Sequence, residues 1–314
     1  ERQRRGASAT LKKGSGSVGV QRQYSGTAGK VANCQIATVL TYATAKGHTF
    51  LDRRLYLPES WCADAERRTK AKVPPEVTFQ TKPEQALAML EHAWARGVPM
   101  RWVTGDEVYG DAPYLRAAIQ KSGRYYVLAV SAPTPVWVER PLVEEPGLPT
   151  GGRPRTKARL APAAPPATTV AALVGTWSAA QWERFSVAAG EKGPRLYDWG
   201  RMRVVESRDH LPGPEVWLLA RRSVSDPSEI AYYLAWAPPD VTLRELARIA
   251  ATRYTVEQCI EEAKGEAGLD HDEVRRWPCW HQHLTLALLA HAWLASLQAT
   301  AAEKGGSSSQ PAPV

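Results

Sequence analysis

The sequence predicts an α/β fold on the basis of its composition, its length and the order of its local patterns. Hydrophobic residues make up 44% and charged residues 23% of the 314 residues, which is typical of soluble globular proteins and excludes a wholly disordered or fibrous chain. The chain is long enough for one large domain or two smaller ones. Strand-like segments alternate with segments of helical periodicity in its first half, which indicates helices layered on a sheet.

The first half of the chain supplies this alternation element by element. Residues 35–43 and 49–58 are rich in residues that favour strands, and they predict two neighbouring strands. Residues 84–97 carry apolar side chains at helical spacing and end on a glycine, which predicts a helix with a defined stop. The elements expected next are a strand at 98–106, a helix at 112–121 and a strand at 124–131.

An insertion is expected in the middle of the chain. Residues 139–169 contain seven prolines and the basic segment GGRPRTKAR, which predicts an exposed stretch that interrupts the domain. Residues 216–223 and 229–237 then predict a pair of strands across a Ser-Asp-Pro turn.

The last part of the chain predicts helices. Thr242 and Glu245 have the spacing of a capping box, and the helix that they begin is expected to break near Thr252. Residues 284–299 are apolar nearly all round, which predicts an interior helix. Because this run of about 16 residues is shorter than the ~20 that cross a bilayer, we expect no membrane segment.

The net charge of the chain excludes few classes of function. The chain carries a formal net charge of +8, so it would attract a polyanionic partner, but many basic proteins bind no nucleic acid. The basic N-terminal stretch is not followed by an apolar segment typical of a secretory signal, so we expect a cytoplasmic protein.

The cysteines suggest neither a disulfide framework nor a zinc ribbon, because the four are far apart and form no CxxC pair. We expect reduced thiols. Cys279, His281 and His283 are close in sequence, but a spacing of two on a helix directs them to different faces, so we expect no metal there.

One charged segment near the C-terminus offers a site. Arg253 and Glu257 are spaced i, i+4 on a helix, and Glu257 and Lys264 are spaced i, i+7, which is two turns. The three charged side chains therefore line one face. The simplest interpretation is a solvated helix face with supporting ion pairs.

These three residues also match the R-x3-E-x6-K part of the signature around the catalytic Glu of DDE insertion-sequence transposases. The position of the signature's Tyr is Ala250 here, so the motif is incomplete. The resemblance to one actinobacterial-type transposase family nevertheless extends over nearly the whole chain. The segments that carry it are GVQRQYSGTAGKVANCQ (19–35), LYLPESW (55–61), VTGDEVYGD (103–111), AKGEAGLDHDEVRRW (263–277) and WHQHLTLALLAHAWLA (280–295).

The resemblance implies a ribonuclease-H-like fold, in which a mixed sheet is flanked by helices and a Pro-rich, β-containing insertion precedes the last helices. It implies that Asp106 is the family's second catalytic Asp and Glu257 its catalytic Glu, and that both bind metal. The cofactor implied is Mg²⁺ or Mn²⁺, with two ions in an intact site. The partners implied are DNA, as element ends and target, and a second copy of the chain in an active homodimer located at the nucleoid.

The remaining cations have expected roles in binding DNA. Arg253 and Lys264 would contact phosphate, or else pair with Glu257 or Glu261. The family match leaves DNA contacts open for Arg22 and Tyr24. Arg153 and Arg155 lie in a Gly-Arg-Pro-Arg segment that resembles the core of a minor-groove hook, although nonspecific attraction to phosphate is the simpler explanation of such a short segment.

The first catalytic Asp of the family is missing. Alignment on the LKKG segment places that Asp at Gly6, and the residues before it lack the pattern of a central strand. We therefore expect a truncated or frame-disrupted transposase with impaired activity, or else an inactive DNA-binding remnant or a host nuclease of the same fold. Asp52 is a conceivable substitute ligand, but its neighbouring arginines make a surface ion pair the simpler interpretation.

These inferences predict the following division of the chain. Residues 1–17 are a disordered basic remnant, 18–131 the first part of the catalytic core, 132–228 the insertion with its Pro-rich basic linker, 229–300 the second part of the core with the Glu257 helix, and 301–314 a disordered tail.

Overall fold

The computed structural model describes residues 7–25, 29–146, 157–190 and 193–306. Its strands are β1 (Ala7–Leu11), β2 (Gln21–Ser25), β3 (Lys30–Thr44), β4 (Gly47–Leu55), β5 (Trp102–Gly105), β6 (Tyr125–Val130), β7 (Pro135–Trp137), β8 (Val143–Glu144), β9 (Arg159–Leu160), β10 (Thr168–Thr169), β11 (Glu183–Gly190), β12 (Gly193–Arg208), β13 (Leu211–Ser223) and β14 (Ile230–Trp236).

The helices are α1 (Glu59–Cys62), α2 (Ala65–Lys70), α3 (Lys82–Ala95), α4 (Glu107–Gly110), α5 (Pro113–Lys121), α6 (Val170–Gly175), α7 (Leu243–Thr252), α8 (Tyr254–Ala267) and α9 (Trp277–Gly306), with a 3₁₀ turn at Ala179–Gln181. The chain forms two compact units. The first combines Glu1–Pro99 with Arg253–Val314, and the second is Met100–Thr252.

The first unit is built on an antiparallel sheet around the long strand β3. One edge of β3 pairs with β1, while β2 and β4 pair with successive parts of it. Apolar side chains of this sheet pack with Trp61 and with α8 and α9, which supply Ile260 and Leu284 to the same core. The two neighbouring strands predicted at 35–43 and 49–58 are confirmed as β3 and β4, which pair as a hairpin.

The helix predicted at 84–97 is confirmed as α3, and its start is defined by a capping box. The Thr81 hydroxyl accepts from the Glu84 backbone N–H, and the Glu84 carboxylate accepts from the Thr81 N–H at 2.7 Å. The helix stops before Gly97, whose φ of +69° is the left-handed conformation that glycine adopts at no steric cost.

Helix α9 differs from the interior helix predicted at 284–299. One side, with Leu284 and Leu288, is buried in the core of the first unit. The opposite side exposes large apolar residues, with relative exposures of 60% at Leu286, 64% at Leu289 and 66% at Trp293. The all-round apolar pattern was therefore misleading, because only one face of the helix finds packing partners within the unit.

By length and composition alone, Trp277–Ala301 of α9 could cross a membrane. Of its most apolar stretch of 18 residues, 22% is buried inside the protein. Core helices of soluble proteins also meet this criterion. The expectation that the chain contacts no membrane therefore stays a prediction.

Part of each predicted disordered end forms regular secondary structure. Residues 7–11, inside the predicted basic remnant, form β1, because Ala9 is buried and the segment pairs with Cys34–Thr38 of β3. Helix α9 extends to Gly306, past the predicted start of the tail at 301. The other predicted domain boundaries separate a family's catalytic core from an insertion. The division into compact units does not test that distinction, so these boundaries stay predictions.

The second unit contains a large mixed sheet in the order β10-β7-β12-β13-β14-β6-β5, with β11 paired to β12. Strands β5 and β6 are parallel, and the other pairs are antiparallel. Helix α7 packs on this sheet through Leu246 and Ile249, against residues that include Trp199. The predicted α/β class is confirmed, with helices on a mixed sheet.

A charge cluster joins three neighbouring strands of this sheet. Asp198 on β12 is almost fully buried, and its carboxylate accepts from Arg184 Nε on β11 at 2.7 Å and from Arg222 Nη2 on β13 at 3.0 Å. The hydrogen bond from Arg184, together with that from Arg222, holds the pKa of Asp198 below its ordinary value against the opposing effect of burial.

This pairing predicts a loss of stability in acid. Because the folded-state pKa of Asp198 is lowered, the stabilisation is present above the unfolded value of about 3.9 and is lost as the pH falls through the folded value. We expect Asp198→Asn to be less stable at neutral pH and to lose less of its stability on acidification. Urea unfolding between pH 2 and 7 measures this, with the exposed Asp240→Asn as control. Parallel pH profiles for Asp198→Asn and the unsubstituted chain would contradict it.

Candidate functional site

Asp106 lies at the carboxyl end of a strand, as the sequence predicted. Strand β5 ends at Gly105, and Asp106 is the N-cap of α4, where its Oδ1 accepts from the Val108 backbone N–H at 3.0 Å. This cap fixes the carboxylate at the junction of strand and helix. The side chain is half-buried, which leaves part of it accessible to a ligand.

Helix α4 is held close to strand β6 by a glycine. A Cβ atom at Gly110 would overlap the carbonyl oxygen of Ala129 and come within 2.8 Å of its carbonyl carbon. Only a residue without a side chain permits this approach, so Gly110 sets how near the Asp106 segment lies to the sheet.

A buried ion pair supports the same segment. The Arg116 guanidinium donates to the Gly110 carbonyl oxygen, and its Nε donates to Glu206 Oε2 at 2.8 Å. The side chains are 2% and 0% exposed, and Arg208 also pairs with Glu206. Arg116 and Glu206 are far apart in sequence, so nothing in the local pattern pointed to this pair, and sequence reasoning missed it.

The two acidic neighbours of Asp106 have different surroundings. Asp111 accepts from the Ser131 backbone N–H and from the Thr134 hydroxyl, each at 3.0 Å, so it ties the end of α4 to the loop after β6. Asp111 therefore has a structural role in this turn. Glu107 lies in the first turn of α4 and is half-buried.

Glu257 lies in the first turn of α8, and the predicted helix break near Thr252 is confirmed. Arg253 Nη1 pairs with Glu257 Oε1 at 3.2 Å, and the Arg253 side chain is 8% exposed against 21% for Glu257. The pairing that the sequence left open for Arg253 is therefore present. It orients the Glu257 carboxylate.

Lys264 lies near the C-terminus of the same helix and is half-buried. Within the described part of the chain, no carboxylate is close enough to Lys264 to form an ion pair, so neither Glu257 nor Glu261 neutralises it. The expected contact of Lys264 with a DNA phosphate stays a prediction.

Arg22 and Tyr24 point to the same side of strand β2 and are both exposed, with Tyr24 at 45%.

Asp52 on β4 contacts Arg53 at 3.7 Å and His92 at 3.4 Å, which supports the surface ion-pair interpretation rather than a substitute ligand. Gly6, Arg153 and Arg155 lie outside the described residues.

Asp106 belongs to the second unit and Glu257 to the first. Both offer carboxylate oxygens, which are the donors that Mg²⁺ and Mn²⁺ prefer. Each is oriented by a neighbour of its own, the α4 backbone for Asp106 and Arg253 for Glu257. Carboxylate donors fit a divalent ion. The resemblance implies one further carboxylate, the family's first catalytic Asp, and Gly6 occupies that position here.

Comparison with known proteins identifies the family. The family model described as "DDE superfamily endonuclease" matches residues 7–194, which include Asp106 and end before Glu257. No curated protein matches the chain. Endonucleases of this family act on DNA and generally use divalent metal ions. Since the match covers more than half of the sequence, the chain belongs to the DDE superfamily of endonucleases.

Proposed function

We propose that this chain is a DDE-type transposase that cleaves DNA at the ends of an insertion element and transfers the strands to a target, with Mg²⁺ or Mn²⁺ as cofactor. The observation that carries the proposal is the placement of Asp106 at the carboxyl end of β5, inside the stretch that matches the endonuclease family. Ligands at strand ends are common in α/β proteins.

The proposal assigns a role to each oriented side chain. By the family resemblance, Asp106 and Glu257 would each be a metal ligand, and the metal would stabilise charge on the phosphate and activate the attacking oxygen. The backbone cap of α4 fixes the orientation of the Asp106 carboxylate, and the ion pair with Arg253 fixes that of the Glu257 carboxylate. Less side-chain entropy is therefore lost when the metal binds. Lys264 would contact a DNA phosphate as a compact positive charge.

The reaction is impaired in this chain because Gly6 stands where the family has its first catalytic Asp. Loss of one carboxylate weakens the binding of metal and loosens the geometry of the reacting groups. The alternative in the same family is an inactive chain that binds DNA only, and the glycine at position 6 is the observation that favours it.

The proposal extends to the surfaces that would contact DNA. Arg22 and Tyr24 are exposed together on β2 and combine a positive charge with an aromatic ring. Arg153 and Arg155 would add attraction to phosphate. An active form would be a homodimer on two element ends, in the cytoplasm at the nucleoid.

A gain of function tests the proposal. We expect the unsubstituted chain to nick supercoiled DNA weakly or not at all in Mg²⁺ or Mn²⁺, and Gly6→Asp to nick it in a metal-dependent manner. Gly6→Ser is the matched control, because it adds a side chain without a carboxylate and should stay as inactive as the parent. Silence of a folded Gly6→Asp chain would contradict the proposed reaction. Equal nicking by all three chains would contradict the impairment.

The DNA-only alternative predicts a different pair of results. A remnant would bind a DNA duplex with an affinity that falls as salt rises, and Gly6→Asp would leave both binding and the absence of nicking unchanged. Measuring binding by fluorescence anisotropy beside the nicking assay separates the two functions.

A further inference from the structure

A second group of metal-ligating side chains lies within the first unit and includes none of the residues assigned above. Ligand atoms of His48 on β4, Cys259 on α8 and His291 on α9 all lie within 4.8 Å of one another. Glu262, one helical turn after Cys259, adds a carboxylate. Its Oε2 is 2.9 Å from His48 Nε2 and 3.2 Å from His291 Nε2.

Two of the four side chains are deeply buried, while those of His48 and Glu262 are 20% and 32% exposed. Cys259 is fully buried, His291 is 3% exposed, and the ring of Phe50 lies 5.2 Å from the His291 ring and covers it. The Thr49 hydroxyl lies 3.5 Å from His291 Nδ1, on the side opposite the cluster. A contact of this kind orients an imidazole so that Nε2 faces a metal.

The charge of Glu262 has no permanent cation beside it. Within the described ranges, no lysine or arginine comes close enough to Glu262 to form an ion pair, and its contacts are the two histidines and Gln258. A bound cation at the cluster would supply a permanent positive charge beside this carboxylate.

The donor set and the spacing fit zinc. Imidazole, thiolate and carboxylate together are typical zinc ligands, whereas Mg²⁺ prefers oxygen donors alone. Zinc bonds of about 2.0–2.3 Å place tetrahedral ligand atoms about 3.3–3.8 Å apart. Glu262 Oε2 lies 2.9 Å and 3.2 Å from the two imidazole nitrogens, just below that range, and the ligand atoms of His48, Cys259 and His291 lie within 4.8 Å of one another. Side-chain movement on binding the ion would complete the tetrahedron.

We propose that His48, Cys259, Glu262 and His291 form a structural Zn²⁺ site. All four positions of the ion are filled by protein, as in structural rather than catalytic zinc sites. The ion would join β4, α8 and α9, and so fasten the last helix to the sheet of the first unit. The proposal does not depend on the DNA chemistry proposed above.

Cobalt provides the direct test, because Co²⁺ replaces zinc and reports its ligands by colour. We expect the untagged full chain, stripped with a chelator, to bind one equivalent of Co²⁺ with the visible bands of tetrahedral coordination and a thiolate-to-cobalt charge-transfer band. Zn²⁺ should abolish both bands and raise the melting temperature, while excess Mg²⁺ should do neither. Binding without the thiolate band, or no binding, would overturn the proposal.

Matched cysteine variants assign the thiolate. Cys259→Ser should remove the charge-transfer band and the thermal shift by Zn²⁺, while Cys34→Ser, at an equally buried position on β3, should keep both. Loss of the band in both variants, or in neither, would contradict the assignment of the thiolate to Cys259.

A histidine variant covers the case in which Cys259→Ser does not fold. His48→Gln changes a half-buried side chain, and it should keep the fold and weaken zinc binding by more than the roughly 10–100-fold that an outer-shell substitution costs. Unchanged zinc affinity in His48→Gln would overturn the four-ligand site.

Discussion

Glu206→Gln should lower the free energy of unfolding of the second unit by about 3–5 kcal/mol, the usual cost of removing one partner from a buried ion pair. The Glu206 side chain is fully buried and pairs with Arg116, whose side chain is 2% exposed. The glutamine keeps the shape but removes the negative charge, so the buried guanidinium is left without its counter-charge.

A surface pair in the same sheet provides the control. Glu215 on β13 pairs with Arg203 at 3.3 Å, and the two side chains are 58% and 41% exposed. Glu215→Gln should cost about 0–1 kcal/mol, since exposed ion pairs contribute little. Urea-dependent hydrogen exchange of the β12 and β13 amides reports on the second unit alone. A loss in Glu206→Gln no larger than in Glu215→Gln would show that this ion pair does not stabilise the unit.

Gly110→Ala should also destabilise the second unit, at or above the upper end of the about 1–3 kcal/mol typical of overpacking. The new methyl group meets the Ala129 backbone, which cannot rotate away as a flexible side chain would. Helix α4 has to move off β6, and Asp106 at its N-cap moves with it. In the Gly6→Asp chain, we expect nicking to fall by about 100-fold, the order of loss that a 1 Å misplacement causes.

Gly175→Ala is the matched control for this substitution. Gly175 is the last residue of α6 in the same unit, and nothing lies within 4 Å of a Cβ placed there. Alanine favours a helix over glycine by up to about 1 kcal/mol, so this variant should be as stable as the parent or slightly more stable. Equal thermal stability of the two variants would contradict the close contact at Gly110.

Elements with local signals were predictable from the sequence. The β3–β4 hairpin follows from strand patterns on either side of a short turn, and α3 follows from apolar side chains at helical spacing and its stop at Gly97. The end of β5 at Asp106 likewise follows from a strand pattern that meets an acidic residue. Each signal lies within one element, where the spacing of side chains determines the structure.

Features that depend on distant residues were not predictable. The Arg116–Glu206 pair and the His48–Cys259–His291 cluster join elements far apart along the chain, so no local spacing marks them. The exposure of Trp293 depends on which face of α9 finds partners, and the apolar pattern alone does not contain that information. Strand β1 forms because β3 offers it an edge, which the Gly/Ser-rich sequence around it does not reveal.

The role of Glu257 as a metal-binding carboxylate is the central claim of this account. The most direct measurement compares Glu257→Gln with Glu261→Gln in the Gly6→Asp chain, because both residues lie on α8 four positions apart and Glu261 is exposed. We predict that Glu257→Gln abolishes Mn²⁺-dependent nicking of supercoiled DNA, as Asp106→Asn does, while Glu261→Gln nicks like its parent. Nicking that survives Glu257→Gln would contradict the account.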